Sequence, residues 1–318
     1  MKKYTVNQQG FPIVLEPETD NFDLIAWANE SRSIIRDLLN THGAILFRGF
    51  SLPDVEKFEE FSAAATSNEW VDYREAATPR VNLNGNVFTS TEYPASETIF
   101  FHNENSHTTT WPLYISFYCK TPAESGGETP LADCRKIYRE LPTEIRERFE
   151  NKKVLYIRNF GYGLGIPWTK GFPVSNKQEM IDYCQKNEIE LNWKAGDKLA
   201  LNYTRWASLE HPVTEEKVWF NHATFFNFNS LDNTTRSLIN EHIGEENAPY
   251  NTFYGDKTPI EEETIDLLKS LYKKHSVKVP YQKQDVLLID NMLVAHGREP
   301  YIGQREICVT MTQNMGSK

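Results

Sequence analysis

Phe100-Phe101-His102-Asn103-Glu104 sets the tightest condition on how this chain can fold. In an extended segment side chains alternate faces with a period of two, so His102 and Glu104 are expected to project to one side and grip one ion. One imidazole and one carboxylate are too few to hold a transition metal, and a third ligand has to come from elsewhere. The strongest candidate is His296, which closes the apolar run Val286 to Ala295 after a break at Asp290-Asn291. The fold must therefore bring together side chains 192 positions apart (296 minus 104). Two imidazoles and one carboxylate on one face, with the remaining positions open, form the ligand set of a non-haem ferrous centre.

A lone His-x-Glu carries little information in a chain with 8 histidines and 44 acidic residues. Its setting carries more. Aromatic residues precede it, Trp111 to Cys119 reads as a buried strand just beyond it, and Gly126-Gly127-Glu128-Thr129 follows, with Thr129 placed 27 residues after His102. Arg305 lies nine residues after His296. In order and spacing these elements resemble the taurine dioxygenase and clavaminate synthase-like superfamily of Fe(II)/2-oxoglutarate oxygenases. Within it, Thr89-Ser90-Thr91-Glu92-Tyr93-Pro94, His102-Asn103-Glu104 and Gly126 to Pro130 most resemble the branch typified by the syringomycin-pathway aspartyl hydroxylase. The likeness runs from about Gly43 to Met311.

The resemblance implies a double-stranded β-helix, or jelly roll, with the metal at its open mouth. His102, Glu104 and His296 would hold Fe(II), with 2-oxoglutarate and O2 filling the open positions. Arg305 would take the far carboxylate of 2-oxoglutarate through two parallel N–H bonds that lysine cannot reproduce, and Thr129 would add a hydroxyl. Outside the resemblance, Arg305 alone reads better as a surface ion pair with Glu306 or a neighbour, and the metal triad reverses that preference. Many relatives place a second arginine where this chain has Val309, and Arg298 is the candidate substitute near the 1-carboxylate. A carboxylate at position 104 speaks against a halogenase, whose iron needs that position vacant for halide.

The rest of the chain fits an α+β class, with helices flanking a jelly-roll core. Residues 23 to 40 place Leu24, Trp27, Ala28, Ile34, Ile35, Leu38 and Leu39 on one helical face, with Gly43 as the stop. Ser51 is expected to cap the next helix, with Pro53 in its first turn and Val55, Phe58 and Phe61 inward. Residues 70–98 read as a long loop leading to His102, a candidate lid. Asp133 is placed to cap a helix, and Thr258-Pro259-Ile260-Glu261 to start another. No linker or internal repeat divides the chain, so residues 1–318 are expected to form one domain, with a helical insertion at about 160–275.

For substrate, the polar candidates near the mouth are Glu92, Tyr93, Asn103, Arg158, Arg205 and Asn221, with His107 and His222 beside them. A buried arginine suits a carboxylate and Glu92 an amine. The nearest resemblance implies hydroxylation of an amino acid, free or tethered to a peptidyl carrier protein. Desaturation or ring closure by the same centre is one alternative, and a binding protein without turnover is another. His42 is expected to balance a helix C-terminus, while His211, His242 and His275 lie in polar contexts and receive no role. Cys119, Cys134, Cys184 and Cys308 are scattered and read as buried hydrophobes.

A net charge of −10 argues against nucleic acid as a partner. The first ten residues lack an apolar signal core and no stretch approaches the length of a membrane span, so no membrane is implied and the cytoplasm is the expected compartment. A homo-oligomer stays open.

Overall fold

The computed structural model describes residues 4–7, 10–19, 21–71, 75, 81–91 and 93–316. Its largest sheet has eight strands in the order Tyr4–Asn7, Ile13–Pro17, Ala44–Phe47, Val286–Asp290, Thr110–Thr121, Glu306–Gly316, Val87–Thr89 and Asn82–Asn84. The two long central strands run antiparallel with Val309 opposite Phe117 and Cys308 opposite Tyr118. They carry near-continuous apolar runs because both faces are covered. The helix Val55–Ala65 packs outside this sheet, with Phe58 stacked on Tyr118 at 5.2 Å and Phe61 edge-on to Phe47 at 4.9 Å. Each buried phenylalanine contributes about 1.5–3 kcal/mol.

A second sheet of four strands, Ser276–Val277, Leu131–Asp133, Val294–Arg298 and Ile99–His102, covers the inner face. The ring of His296 lies 5.1 Å from that of Phe117, so the two sheets meet at the site. This is the jelly-roll core, within a mixed helix and sheet chain. A further sheet, Glu190–Trp193, Leu199–Arg205, Val154–Phe160 and Tyr250–Tyr254, lies between in sequence. The stretch expected to be a helical insertion is therefore mixed. The helices Lys177–Lys186 and Asn233–His242 are there, but so are strands such as Leu199–Arg205, whose alternating Leu199, Leu201 and Tyr203 are buried.

Local starts differ from expectation where a better acceptor lies nearby. The helix expected over 23–40 is two, Leu24–Glu30 and Arg32–His42, meeting at Ser31, and Ile34 is 44% exposed, off the buried face. Gly43 ends the second at φ 77°, and a side chain there would meet Val294 at 2.6 Å. Asp54, not Ser51, caps the Val55–Ala65 helix, its carboxylate accepting from the Lys57 amide at 2.8 Å, which leaves Pro53 ahead of the helix. Thr258 bonds Asp256 instead of capping, and the last helix spans Glu262–Lys274. Burial and then Arg135 hold the His42 imidazole below its usual pKa, which weakens the charge it can lend to its helix end. Within 70–98, Asn82–Asn84 and Val87–Thr89 form the edge of the large sheet. Among the described residues no helix is long and apolar enough to cross a membrane.

Candidate metal centre and substrate cavity

His102 ends one strand of the small sheet and His296 faces it directly on the neighbouring strand. Their ring centroids are 4.5 Å apart. The close approach needs Gly297, because a Cβ there would sit 2.6 Å from the Ile99 carbonyl oxygen. The Phe100 carbonyl accepts from His102 Nδ1 at 3.0 Å, which places the proton on Nδ1 and leaves Nε2 with a lone pair for an ion. Ligand atoms of His102, Glu104 and His296 lie within 4.8 Å of one another, all on buried or nearly buried side chains, and could hold one metal ion.

Glu104 does not reach this position by strand alternation, as its spacing from His102 suggests. The strand stops at His102 and residues 104–107 form a turn, with Asn105 at φ 56°. Asn291 holds that turn. Its Oδ1 accepts from the Glu104 amide at 2.8 Å, while its Nδ2 donates to the Glu104 and Pro112 carbonyls, each at 2.9 Å. Asp290 fixes the same bend, accepting from the amides of Met292 and Leu293 through Oδ1 and from His211 Nε2 at 3.0 Å through Oδ2. His211 thus gains a structural role.

On the other side of His102 and His296 lies a narrow cleft lined by Thr129, Arg305, Arg298 and Ser90. Arg305 donates from Nε to the Gly127 carbonyl at 2.8 Å and reaches Ser90 Oγ at 3.5 Å. Burial pushes its guanidinium below the ordinary pKa, and among the described residues no carboxylate lies within ion-pair distance of it. Glu306, its alternative partner, pairs with Lys120 at 2.7 Å instead. Tyr281 donates its hydroxyl proton to Thr129 Oγ1 at 2.9 Å, leaving the Thr129 proton for another acceptor. A buried cation beside a hydroxyl donor fits a dicarboxylic acid. Arg298, the expected second carboxylate grip, lines the same cleft, with its two terminal nitrogens already engaged. Its Nη1 donates to the Tyr93 carbonyl at 2.8 Å and its Nη2 to the Pro94 carbonyl at 2.6 Å and to that of Glu97, so it ties down the approach to His102.

A larger cavity of about 510 Å³ opens on the near side of His102 and Glu104. His107, His222 and Tyr93 line it as expected near the mouth. Burial first, and neighbouring positive groups next, push both His107 and His222 well below the usual imidazole pKa, which leaves them neutral. Their Nδ1 atoms face Tyr203 Oη at 3.0 Å and Ser106 Oγ at 2.6 Å. The other polar candidates lie elsewhere. Asn103 donates to the Asn291 carbonyl at 2.6 Å, Asn221 to that of Ala207 at 2.6 Å, and Arg205 to those of Thr204 and Asn187. Arg158 is fully buried behind the wall, its guanidinium 5.0–5.4 Å from the rings of Phe160, Phe172 and Tyr250. Glu92 lies outside the described residues. The carboxylate that does line the cavity, besides Glu104, is Glu75, which no local pattern singles out.

The family model described as taurine catabolism dioxygenase TauD, TfdA family, matches residues 8–311. The dapdiamide synthesis protein DdaC of Enterobacter agglomerans is 34% identical over 277 residues, covering 87% of this chain and 84% of that protein. A clavaminate synthase-like protein of Arabidopsis thaliana is 26% identical, covering 95% and 93%. Among solved structures, PvcB from Pseudomonas aeruginosa superposes with a TM-score of 0.56 at 12% identity, covering 98% of this chain and 91% of that one. AAD-2 in complex with Mn(II) and N-oxalylglycine gives 0.57 at 13%, covering 100% and 99%. These two show a shared fold. A match over nearly the whole chain, on a jelly roll that gathers two histidines and a carboxylate beside a buried arginine, makes this chain a member of the TauD/TfdA family of Fe(II)- and 2-oxoglutarate-dependent oxygenases.

Proposed function

We propose that this oxygenase hydroxylates an unactivated C–H bond of an amino acid or amino-acid-derived substrate, free or carrier-tethered, in secondary metabolism. His102, Glu104 and His296 hold the iron, and Arg305 and Thr129 take the far carboxylate of 2-oxoglutarate. The single observation that carries the reading is that His102 forms a wall shared by two spaces. One is the cleft containing Arg305 and Thr129, and the other is the 510 Å³ cavity. A co-substrate and a substrate can thus approach one ion from two sides. That DdaC is named for dapdiamide synthesis supports secondary metabolism as the setting.

Bound Fe(II) supplies the oxidising chemistry, in which 2-oxoglutarate is decarboxylated to succinate as the substrate is hydroxylated. The chain's own residues do the rest. His102, oriented by the Phe100 carbonyl, and His296 present their imidazoles, and Asn291 fixes the turn that carries the carboxylate. Arg305 orients the diacid, and the apolar walls at Phe225 and Phe226 exclude water.

The test is anaerobic titration of Fe(II) and 2-oxoglutarate, followed by succinate release in air with a panel of amino acids and dipeptides. A weak visible band from the chelate is expected in the wild type and is expected to vanish in the His102→Ala/His296→Ala double variant. Absence of the band, or its persistence in that variant, overturns the reading.

A further inference from the structure

The substrate cavity is graded from rim to floor. Leu231, at 37% exposure, and Lys269 stand at its outer edge, while Glu75 and His107 are 3% and 2% exposed at the inner end. Between them the wall is mostly apolar, with Phe225, Phe226 and Pro249, and carries polar groups at Thr224 and Asn227. A volume of about 510 Å³ lies in the range of drug-sized ligands and exceeds what a single small amino acid fills.

Glu75 and Glu104 are the two carboxylates on this wall among the described residues, and Glu104 belongs to the metal triad. Tyr183 donates its hydroxyl to Glu75 Oε1 at 2.8 Å. Oε2 is buried and, among the described residues, has no hydrogen-bond partner. Among the described residues the nearest cationic nitrogen, Arg158 Nη1, is 4.0 Å away, and His107 Nδ1 is 3.9 Å away, facing Tyr203 instead. Burial pushes the Glu75 carboxyl above its usual pKa, with Arg158 opposing that shift, and Arg158 is too far away to satisfy the second oxygen with a hydrogen bond. A buried acceptor left without a donor is disfavoured, and native structures almost always complete it. Backbone strain points the same way, because Glu75 sits at φ 52°, where a non-glycine residue is uncommon.

We infer that Glu75 determines substrate specificity by receiving an N–H donor, a primary amine or a primary carboxamide, at the inner end of a substrate whose remaining body is apolar. This rests on the cavity being the substrate site. The same assignment locates the functional group relative to the reaction. The nitrogen lies at the cavity floor, and the carbon attacked is one that the apolar body carries past His102 and Glu104. The two sources of the donor differ in charge. An ammonium needs the carboxylate charge of Glu75, whereas an amide needs only an acceptor oxygen there.

The experiment is equilibrium binding of hexylamine, hexanamide and methyl hexanoate to the full chain, followed by intrinsic fluorescence. It is run without metal and again with Mn(II) and 2-oxoglutarate, which fills the site without turnover. Hexylamine or hexanamide is expected to bind at least about tenfold tighter than the ester, as one hydrogen bond to a buried charged group requires. Glu75→Gln is expected to abolish the preference if the amine is the ligand and largely to keep it if the amide is. Glu75→Ala abolishes it in both cases. Thermal unfolding of the Glu75→Gln protein checks that it is folded. Equal binding of all three probes, binding of none, or an unchanged preference in Glu75→Ala overturns the inference. Because the metal-free arm is independent of turnover, a protein that binds the amide but releases no succinate would refute the proposed hydroxylase and leave the Glu75 subsite standing.

Discussion

Asn291 and Glu104 exchange two hydrogen bonds, amide to side chain and side chain to carbonyl, across 187 residues of sequence. The pair transmits the position of the Val286–Asp290 strand to the turn that carries the carboxylate. Asn291→Ala removes both bonds and the one to Pro112, leaving buried backbone groups unpartnered. Mn(II) affinity, measured by equilibrium dialysis, is expected to fall about 10- to 100-fold. Urea unfolding is expected to show a loss of about 2 kcal/mol or more.

Gly127 has φ 75°, and a Cβ there would lie 2.9 Å from Arg305 Cδ and 3.0 Å from its Nε. Gly127→Ala should displace the guanidinium and raise the KM for 2-oxoglutarate about tenfold, the equivalent of about 1.4 kcal/mol. Gly163, at φ 85° with no atom within 4 Å of such a Cβ, is the control. Its alanine variant carries the same backbone strain and is expected to leave that KM unchanged.

Arg305→Lys keeps a positive charge and loses the fork that matches a carboxylate. Weaker 2-oxoglutarate binding by about 10- to 100-fold is expected, with kcat at saturating co-substrate changed much less, because the grip is made equally in ground and transition states. Steady-state succinate release at varied 2-oxoglutarate separates the two constants.

His107 is buried neutral among Glu75, Arg158, Arg205 and Tyr203, with its pKa lowered first by loss of water and then by the two arginines. The unfolded chain takes up a proton there near pH 6.5 while the folded one does not. The stability that the neutral imidazole preserves is therefore complete above pH 6.5. It declines as pH falls below that value, until the depressed folded pKa is reached, by about 1.4 kcal/mol per pH unit. Urea unfolding at pH 7 and pH 5.5 should show a smaller loss in His107→Asn than in the wild type.

Much of the site was legible because its parts are local motifs. His102-x-Glu104, the Gly-Gly-Glu-Thr129 turn and the spacing of Arg305 from His296 each occupy a few residues, and the structure gathers all five side chains around one cleft and cavity. What was not legible depends on distant geometry. Asn103, Asn221 and Arg205 lie beside the right segments, but backbone carbonyls that no local pattern reveals engage their donors. Arg298 lines the cleft as expected, but its three carbonyl acceptors at Tyr93, Pro94 and Glu97 were not readable from its local sequence. Glu75 was hidden in a polar stretch that reads as solvated loop. The hydroxyl that holds it, from Tyr183, comes from 108 residues away. Helix starts failed for a simpler reason, since Ser51 and Asp54 are both competent caps and only packing decides between them.

The strand Glu306–Gly316 lies between Thr110–Thr121 and Val87–Thr89, deep in the large sheet, and His296 pairs with His102 across nearly two-thirds of the chain. During synthesis the amino-terminal part leaves the ribosome first, carrying an imidazole and a carboxylate with no partner strand to complete them. Ion capture must wait until the strand carrying His296 has been translated and laid against that of His102, so iron loading reports that the two distant strands have met.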